Sequence, residues 1–496
     1  METWDKLTDH LNEYKQVHLL ITAFVIGLCF SCNVTASAGI PSSMIFKSGS
    51  DTTVGSLIKA SLTGDKSGLA LYYPGTVTRF YALNDFQPVW VNAKKNPKQT
   101  WDAMLTLDCV LQFGLSHDDY HPKELGYDRL HTILEQPDKV TNYDKAVYDI
   151  TLTDALITLM NNLHYGKVNP EFPAGRLDAG IPGGFNADNA LVNAIARRDF
   201  MAAVLSVQPK LKAYTDLQYH MHLLQGVYQG DCYDIPEATI RKMAINMERL
   251  RWAATDDSSY IHINIPSYTL KYHRPDTVYQ FNVIVGKPAW PTPTLRSAIN
   301  YFTTAPDWKV PKRIFIKEIL PRVLKDPAYL QNNQFVIYDD KGNSVDVNSV
   351  QLVRIKQNPR NYYARQSSGC DNSLGLLVFR FPNIYDVYLH DTPEQQLFKK
   401  DERALSHGCI RVEQAEKLAC LILKYDGTTN LIPKVHRALA SYKTRNFTLK
   451  KNVPIKITYL TCEMQEGTLI TYKDIYNLDK QLEMALYNLT NPTALN

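Results

Sequence analysis

Cysteine is sparse in this 496-residue chain and badly spaced for structural work. Eight are present, at 29, 32, 109, 232, 370, 409, 420 and 462, and beyond the first two none forms a C-x-x-C pair. That spacing argues against a zinc site of the usual kind and against a disulfide framework. An excess of charge of one sign is missing too. Fifty-four basic residues against 50 acidic ones leave +4, which gives no reason to expect a nucleic-acid partner. No repeat of fixed period is evident. What remains is ordinary globular material, 45% hydrophobic and 21% charged, enough for a core without staples. The length suggests two to four domains. Thirty tyrosines against seventeen phenylalanines suit sugar or peptide grooves, and equally suit half-buried positions.

The N-terminus carries an apolar run, "VHLLITAFVIGLCF", at residues 17–30. It is short of the roughly twenty residues that a spanning helix needs. It matches the apolar region of an export signal, and Ala36-Ser37-Ala38 matches the cleavage pattern. The acidic residues Glu2, Asp5, Asp9 and Glu13 depart from the positive start such signals prefer. Residues 1–38 are therefore expected to be a signal peptide or an uncleaved membrane anchor.

Further on, the hydrophobic period splits the chain in two. Leu152, Leu156, Leu159 and Leu163 fall on one face of a helix that Gly166 should stop. Residues 169–185, rich in Pro and Gly, read as a loop, and 187–225 read as helical again. A last helix from Pro236 carries Ile240, Met243, Met247 and Leu250 on one side. From Tyr260 the period becomes two, with Ile261, Ile263 and Ile265 alternating and "HRPD" as a hairpin turn. Strand signals recur in "NQFVIYDD", "GLLVFRF", "YDVYLH" and "PIKITYLTCEM", while residues 310–331 look helical with an interruption at Pro321. The fold class expected is α+β: a helical half, a join near residues 252–259, then a β-rich half.

One loop concentrates chemistry. Ser406, His407, Gly408 and Cys409 stand in a row, nineteen residues after His390. A cysteine nucleophile needs a base within reach and donors for the oxyanion formed on attack. His390 ends a strand pattern. Cys409 is expected just before a helix whose Leu418, Ala419 and Ile422 share a side, so that the 407–409 amides gather near a helix N-terminus that favours thiolate and oxyanion. Gly408 lets that backbone turn or approach closely. The residues alone leave other readings open. Cys409 can be a small core residue, His407 can be a second base or a structural donor, and His390, His407 and Cys409 can be read as metal ligands.

The segment "SHGCIRV", preceded by "YLHDTP", resembles the signature of the L,D-transpeptidases, whose catalytic domain is of the YkuD type. Outside the motif, "VIVGKPAWPTP", "APDWKVPKRIFIKEILP" and "GLLVFRFPNIYDVYLHDTP" resemble the large periplasmic branch of that family. "YYPGTVTRFYALNDFQPVWV" and "DALITLMNNLHYGKVNP" resemble its N-terminal scaffold. The resemblance implies a scaffold domain over 39–255, a catalytic domain over 256–480 with an inserted helical capping subdomain at about 312–365, and a tail over 481–496. It implies Cys409 as nucleophile, His390 as general base, and His407, Gly408 and Ser406 in the oxyanion loop. Arg411 would pair with a stem-peptide carboxylate or brace the loop, and Tyr388 and Trp308 would line the cleft. No metal or cofactor is implied. The partners implied are peptidoglycan stem peptides, a donor tetrapeptide and an acceptor stem, with carbapenem-type β-lactams as inhibitors, in the periplasm. The activity implied is 3-3 cross-linking. The rivals are an L,D-carboxypeptidase or cross-link hydrolase using the same pair, and a non-catalytic envelope-binding protein. The interval of about twenty-five residues at 223–247 is too short for the small peptidoglycan-binding domain that relatives often carry, so that domain is expected to be absent.

Overall fold

A computed structural model describes residues 53–64, 68–92, 97–226, 237–253 and 257–489. The expected leader at 1–38, Cys29, Cys32 and Cys232, and the last seven residues of the expected tail lie outside them. No helix among the described residues is long and apolar enough to cross a membrane.

The helical half is built around Asn142–His164. Thr141 caps its first turn by accepting a hydrogen bond from the Asp144 N–H at 3.0 Å. The leucine face expected from the sequence is fully buried, but so is nearly every other side from Ala146 to Leu163. Polar residues inside such a helix need partners. Asp149 accepts the N–H groups of Val89, Trp90 and Val91 and the Tyr81 hydroxyl. Asp154 accepts the N–H groups of Tyr72 and Tyr73, each at 2.9 Å, and faces His121 Nε2 at 2.7 Å. Two carboxylates thus tie the preceding loops to the central helix.

The helix Glu237–Trp252 buries Met243, Met247 and Leu250, as its spacing predicts. It also joins the two halves. Arg251 is fully buried, paired with Glu248 at 3.1 Å and bonded to Phe113 O at 2.6 Å and Tyr214 Oη at 3.1 Å. On the same helix, Asn246 bonds Thr461 and Arg249 pairs with Asp479 at 2.6 Å.

The β half is one large sheet. Its strands are β1 (Tyr260–Asn264), β2 (Thr269–His273), β3 (Val278–Gly286), β4 (Leu295–Thr304), β8 (Leu377–Arg380), β9 (Leu389–His390), β10 (Ala404–Ser406), β11 (Ile410–Val412) and β12 (Arg445–Thr458). The spatial order is β10-β3-β11-β9-β8-β4-β12-β1-β2, and β3 also pairs with β2, closing the sheet on itself. The helices Ala415–Tyr425 and Ile432–Ala440 cover its core through Leu418, Ala419, Ile422 and Val435. The hairpin of β13 (Cys462–Gln465) and β14 (Thr468–Thr471) packs with the helix Glu237–Trp252.

The capping segment has its own small core. Expected as helical, it is built on a three-stranded sheet as well: β5 (Trp308–Lys309), β7 (Tyr362–Gln366) and β6 (Phe335–Asp339). Val310, Phe315, Val323, Ile337 and Ala364 fill the space between sheet and helices. Pro321 does not end the helix. Its ring cannot accept an ordinary turn before it, and Phe315–Ile319 widens into a π-helical turn that lets the chain continue through Leu320–Lys325.

Three enclosed histidines, His390 buried and His262 and His273 half-buried, bear on the acid tolerance of the β half. Burial pushes His262 down to about 3, His273 to about 4 and His390 to about 3, with nearby Lys271 and Lys456 adding to it at the first two and Arg411 at the third. Below the ordinary value near 6.5 the unfolded chain takes up protons that the folded one refuses. Stability is therefore lost as pH falls from about 6.5 toward 3, by up to about 1.4 kcal/mol per pH unit for each histidine. Thermal melting from pH 7.5 to 4 should show Tm dropping through that window. A flat profile there would contradict neutral, enclosed imidazoles.

Candidate active site

Cys409 sits in the short loop between β10 and β11. Both strands pair with β3, so the loop spans the end of that strand. The helix expected directly after Cys409 begins only at Ala415, because the residues following the cysteine form β11 instead. Ile410 and Val412 alternate inward at no exposure, a strand signal hidden in a three-residue run. No helix N-terminus adjoins the thiol in sequence.

The loop is held by three local contacts. Ser406 Oγ donates to Cys409 O at 2.5 Å and accepts from the Gly408 N–H at 3.2 Å. The buried Thr292 hydroxyl donates to Gly408 O at 2.8 Å while accepting from the Gly286 N–H at 2.9 Å. Gly408 has φ +110°, a conformation that side chains rarely adopt, although space for a Cβ is present. Of the three amides expected to form an oxyanion site, that of Gly408 is therefore already engaged by Ser406. The Cys409 N–H has no acceptor among the described residues.

His390 comes to the same place through the adjoining strand. β11 and β9 run parallel, with Ile410 opposite Leu389 and Arg411 opposite His390. Ile410 N–H donates to Tyr388 O at 3.1 Å, which sets Cys409 level with Tyr388. Since side chains alternate with period two, Tyr388, His390, Cys409 and Arg411 share one face, while Leu389 and Ile410 point into the core. The rings of Tyr388 and His390 are 5.7 Å apart. The half-buried Cys409 lies with its sulfur 3.9 Å from Asp386 O and against the N–H and hydroxyl of Tyr388.

Electrostatics leave both reactive groups neutral. Burial raises the Cys409 thiol above its usual value; the Tyr388 groups and Arg380 pull the other way without cancelling it. Burial and Arg411 push His390 down to about 3. Its Nδ1 lies 2.6 Å from Asp391 O, and a carbonyl can only accept, so the proton sits on Nδ1. The Leu374 backbone is a second hydrogen-bond partner of the same ring. The turn opposite is fixed by Asp391, whose carboxylate accepts from the Leu376 N–H at 2.9 Å. A side chain at Gly375, which has φ +62°, would meet Asp391 at 2.6 Å.

His407 and Arg411 are committed elsewhere. His407 Nε2 lies 2.5 Å from Glu318 Oε1, and its ring stands edge-on to Trp290 at 5.1 Å. Arg313 stacks over Trp290 at 3.5 Å. Glu318 belongs to the π-helical turn of the cap, so His407 fastens the cap to the Cys409 loop. Arg411 meets Glu394 at 2.5 Å, which favours bracing over substrate pairing. Trp308 and Tyr388 both line a cleft of about 720 Å³ between the cap and the sheet. The Trp308 indole N–H approaches the Tyr388 hydroxyl yet is a buried donor with no partner of hydrogen-bond geometry. Sequence reasoning missed Glu318, Glu394, Thr292, Asp386 and Arg380; Glu318 and Thr292 are remote from the motif, Asp386 and Glu394 flank its "YLHDTP" segment, and none has a spacing that points to it. Among the described residues no three His, Cys, Asp or Glu side chains gather as metal ligands, and all five described cysteines are free.

Comparisons with known proteins agree with the layout. Residues 258–435 match the L,D-transpeptidase catalytic domain, YkuD, and residues 75–221 match the Scaffold domain. A Haemophilus influenzae protein described as "Putative L,D-transpeptidase" is 29% identical over 442 residues, spanning 87% of this chain and 84% of that one.

The His407–Glu318 contact makes a direct prediction. Replacing Glu318 by Ala removes a partly buried pair worth about 1 kcal/mol, so amide exchange within residues 312–325 should quicken by about fivefold. Exchange unchanged in that segment would mean the cap is held by other contacts.

Proposed function

The chain carries the catalytic domain of the L,D-transpeptidases joined to a Scaffold domain, and on that footing we propose that it cross-links peptidoglycan stem peptides through a Cys409 thioester. The observation that carries this reading is a half-buried thiol and a neutral imidazole on one face of adjacent parallel strands, at the edge of a peptide-sized cleft.

The steps follow from the protonation states. His390 takes the Cys409 proton as sulfur attacks the carbonyl of the L-centre of the diamino acid in a donor tetrapeptide. The Cys409 N–H and the Tyr388 hydroxyl meet the oxyanion; burial raises Tyr388 far above its usual range, so it remains a donor. The C–N bond breaks, His390 returns the proton to the departing D-alanine nitrogen, and a thioester remains. The side-chain amine of a second stem attacks that thioester and gives its surplus proton to His390. The sulfur leaves as a thiol and a 3-3 cross-link results. The cap limits water at the thioester, favouring amine over hydrolysis. In the same reading the protein works in the periplasm and carbapenem-type β-lactams acylate Cys409.

Purified protein with disaccharide tetrapeptide, followed by mass spectrometry, tests this. Cross-linked dimer is expected. Tripeptide alone would indicate a carboxypeptidase, and no product would sink the enzymatic reading. Cys409→Ala should abolish turnover, and His390→Gln should lower kcat by about 10²- to 10⁴-fold. With His390 held near 3, it stays a base on acidification. Between pH 7.5 and 5.5, kcat/KM should change less than about threefold, whereas a base titrating near 6.5 would lose about tenfold.

A further inference from the structure

The cleft beside Cys409 is lined by four cations, of which two are paired. Arg365 faces Asp307 at 3.3 Å and Lys312 faces Asp340 at 3.2 Å. Lys309 stands on the cap side, over the Tyr363 ring at 4.6 Å. Arg380, like Lys309, lies over a tyrosine ring with no carboxylate partner, but that ring is Tyr388, the neighbour of Cys409. Arg380 ends β8, lines the cleft, and lays its guanidinium over the Tyr388 ring at 4.8 Å. Among the described residues it has no carboxylate partner and no hydrogen-bond acceptor. Tyr388 in turn touches the Cys409 sulfur, so an unpaired, fork-shaped donor set stands next to the reacting atom. Such a fork matches a carboxylate. Asp386, an anion on the same cleft wall, is exposed and forms no ion pair with it.

A donor stem that ends one residue past the attacked carbonyl brings one carboxylate close. The carbon of that terminal carboxylate is three bonds beyond the attacked one, so about 4 Å away. We propose that Arg380 binds the free terminal carboxylate of the leaving residue, and so restricts the donor to stems ending one residue after the attacked amide. Arg411 cannot do this while it is held by Glu394. The inference rests on the transpeptidase reading and adds a specificity-determining residue to it. Longer stems carry an amide at that position. They leave the guanidinium desolvated and unpaired, and are rejected for that reason rather than by shape.

The test compares the tetrapeptide donor with its C-terminal carboxamide. Wild-type protein should prefer the carboxylate in kcat/KM by about 10- to 100-fold, the range of a charge-assisted pair. Arg380→Gln should bring that ratio to within about threefold of one, and Arg380→Lys should keep part of it. A role limited to propping Tyr388 would lower both donors equally and leave the ratio intact, which would overturn the proposal. If Arg380→Gln is inactive on both, calorimetric binding decides. Cys409→Ala should hold the carboxylate donor more tightly than the carboxamide, and the double variant should hold both alike. Equal binding in Cys409→Ala itself also overturns it. Absence of turnover in wild type would instead strike the transpeptidase reading.

Discussion

The site depends on the register between β9 and β11. Two short parallel strands share only two residue pairs, Ile410 with Leu389 and Arg411 with His390. A slip by one residue would turn every side chain to the other face and send Cys409 away from His390. Hydrogen bonds alone, at a net of about 1 kcal/mol each, would hold so short a pairing weakly. Burial holds it more firmly. Leu389 and Ile410 are fully enclosed in the sheet core, and moving them outward would cost about 1.5–3 kcal/mol apiece. The reactive face is thus fixed by the apolar residues on its back.

That placement has a consequence for charge. The same enclosure that orders the strand raises the Cys409 thiol and lowers His390, so the resting pair is neutral rather than an ion pair. In the proposed reaction a thiolate is then made only as the carbonyl arrives. Tyr388 limits the cost by offering its N–H and hydroxyl to the sulfur, and Arg380 adds a positive charge beyond the ring. Desolvation keeps the thiol quiet, and a small number of donors determine where negative charge can form.

The sequence made some of this readable and concealed the rest for physical reasons. The α+β division, the leucine spacing of Asn142–His164 and the hairpin at 274–277 follow from local period and turn chemistry. The motif around Cys409 was legible because its residues are neighbours in the chain. Its local structure was misread. β11 is three residues long, too short for a period to show, and the helical pattern after it drew the expected helix start forward. The partners of the motif were not legible at all. Glu318 reaches His407 across eighty-nine residues, and Thr292 reaches Gly408 across 116. Single polar residues at such separations leave no periodic trace. Arg411 illustrates the same limit: only the folded chain reveals Glu394 beside it.

The cap extends the argument from placement to outcome. Its small core is self-contained, and it is tied to the nucleophile loop through the chain connections, His407–Glu318, and Arg313 over Trp290. Glu318 reaches the loop from a π-helical turn that precedes Pro321 and buries Phe315 and Ile319 in the cap core. The Cys409 loop and the cap therefore meet at one residue, His407. Displacing the cap would disturb the loop backbone next to Cys409, and disturbing that loop would release the cap. On the proposed mechanism, water exclusion and oxyanion geometry are coupled at that point, which ties the choice between amine and water at the thioester to the Cys409 loop.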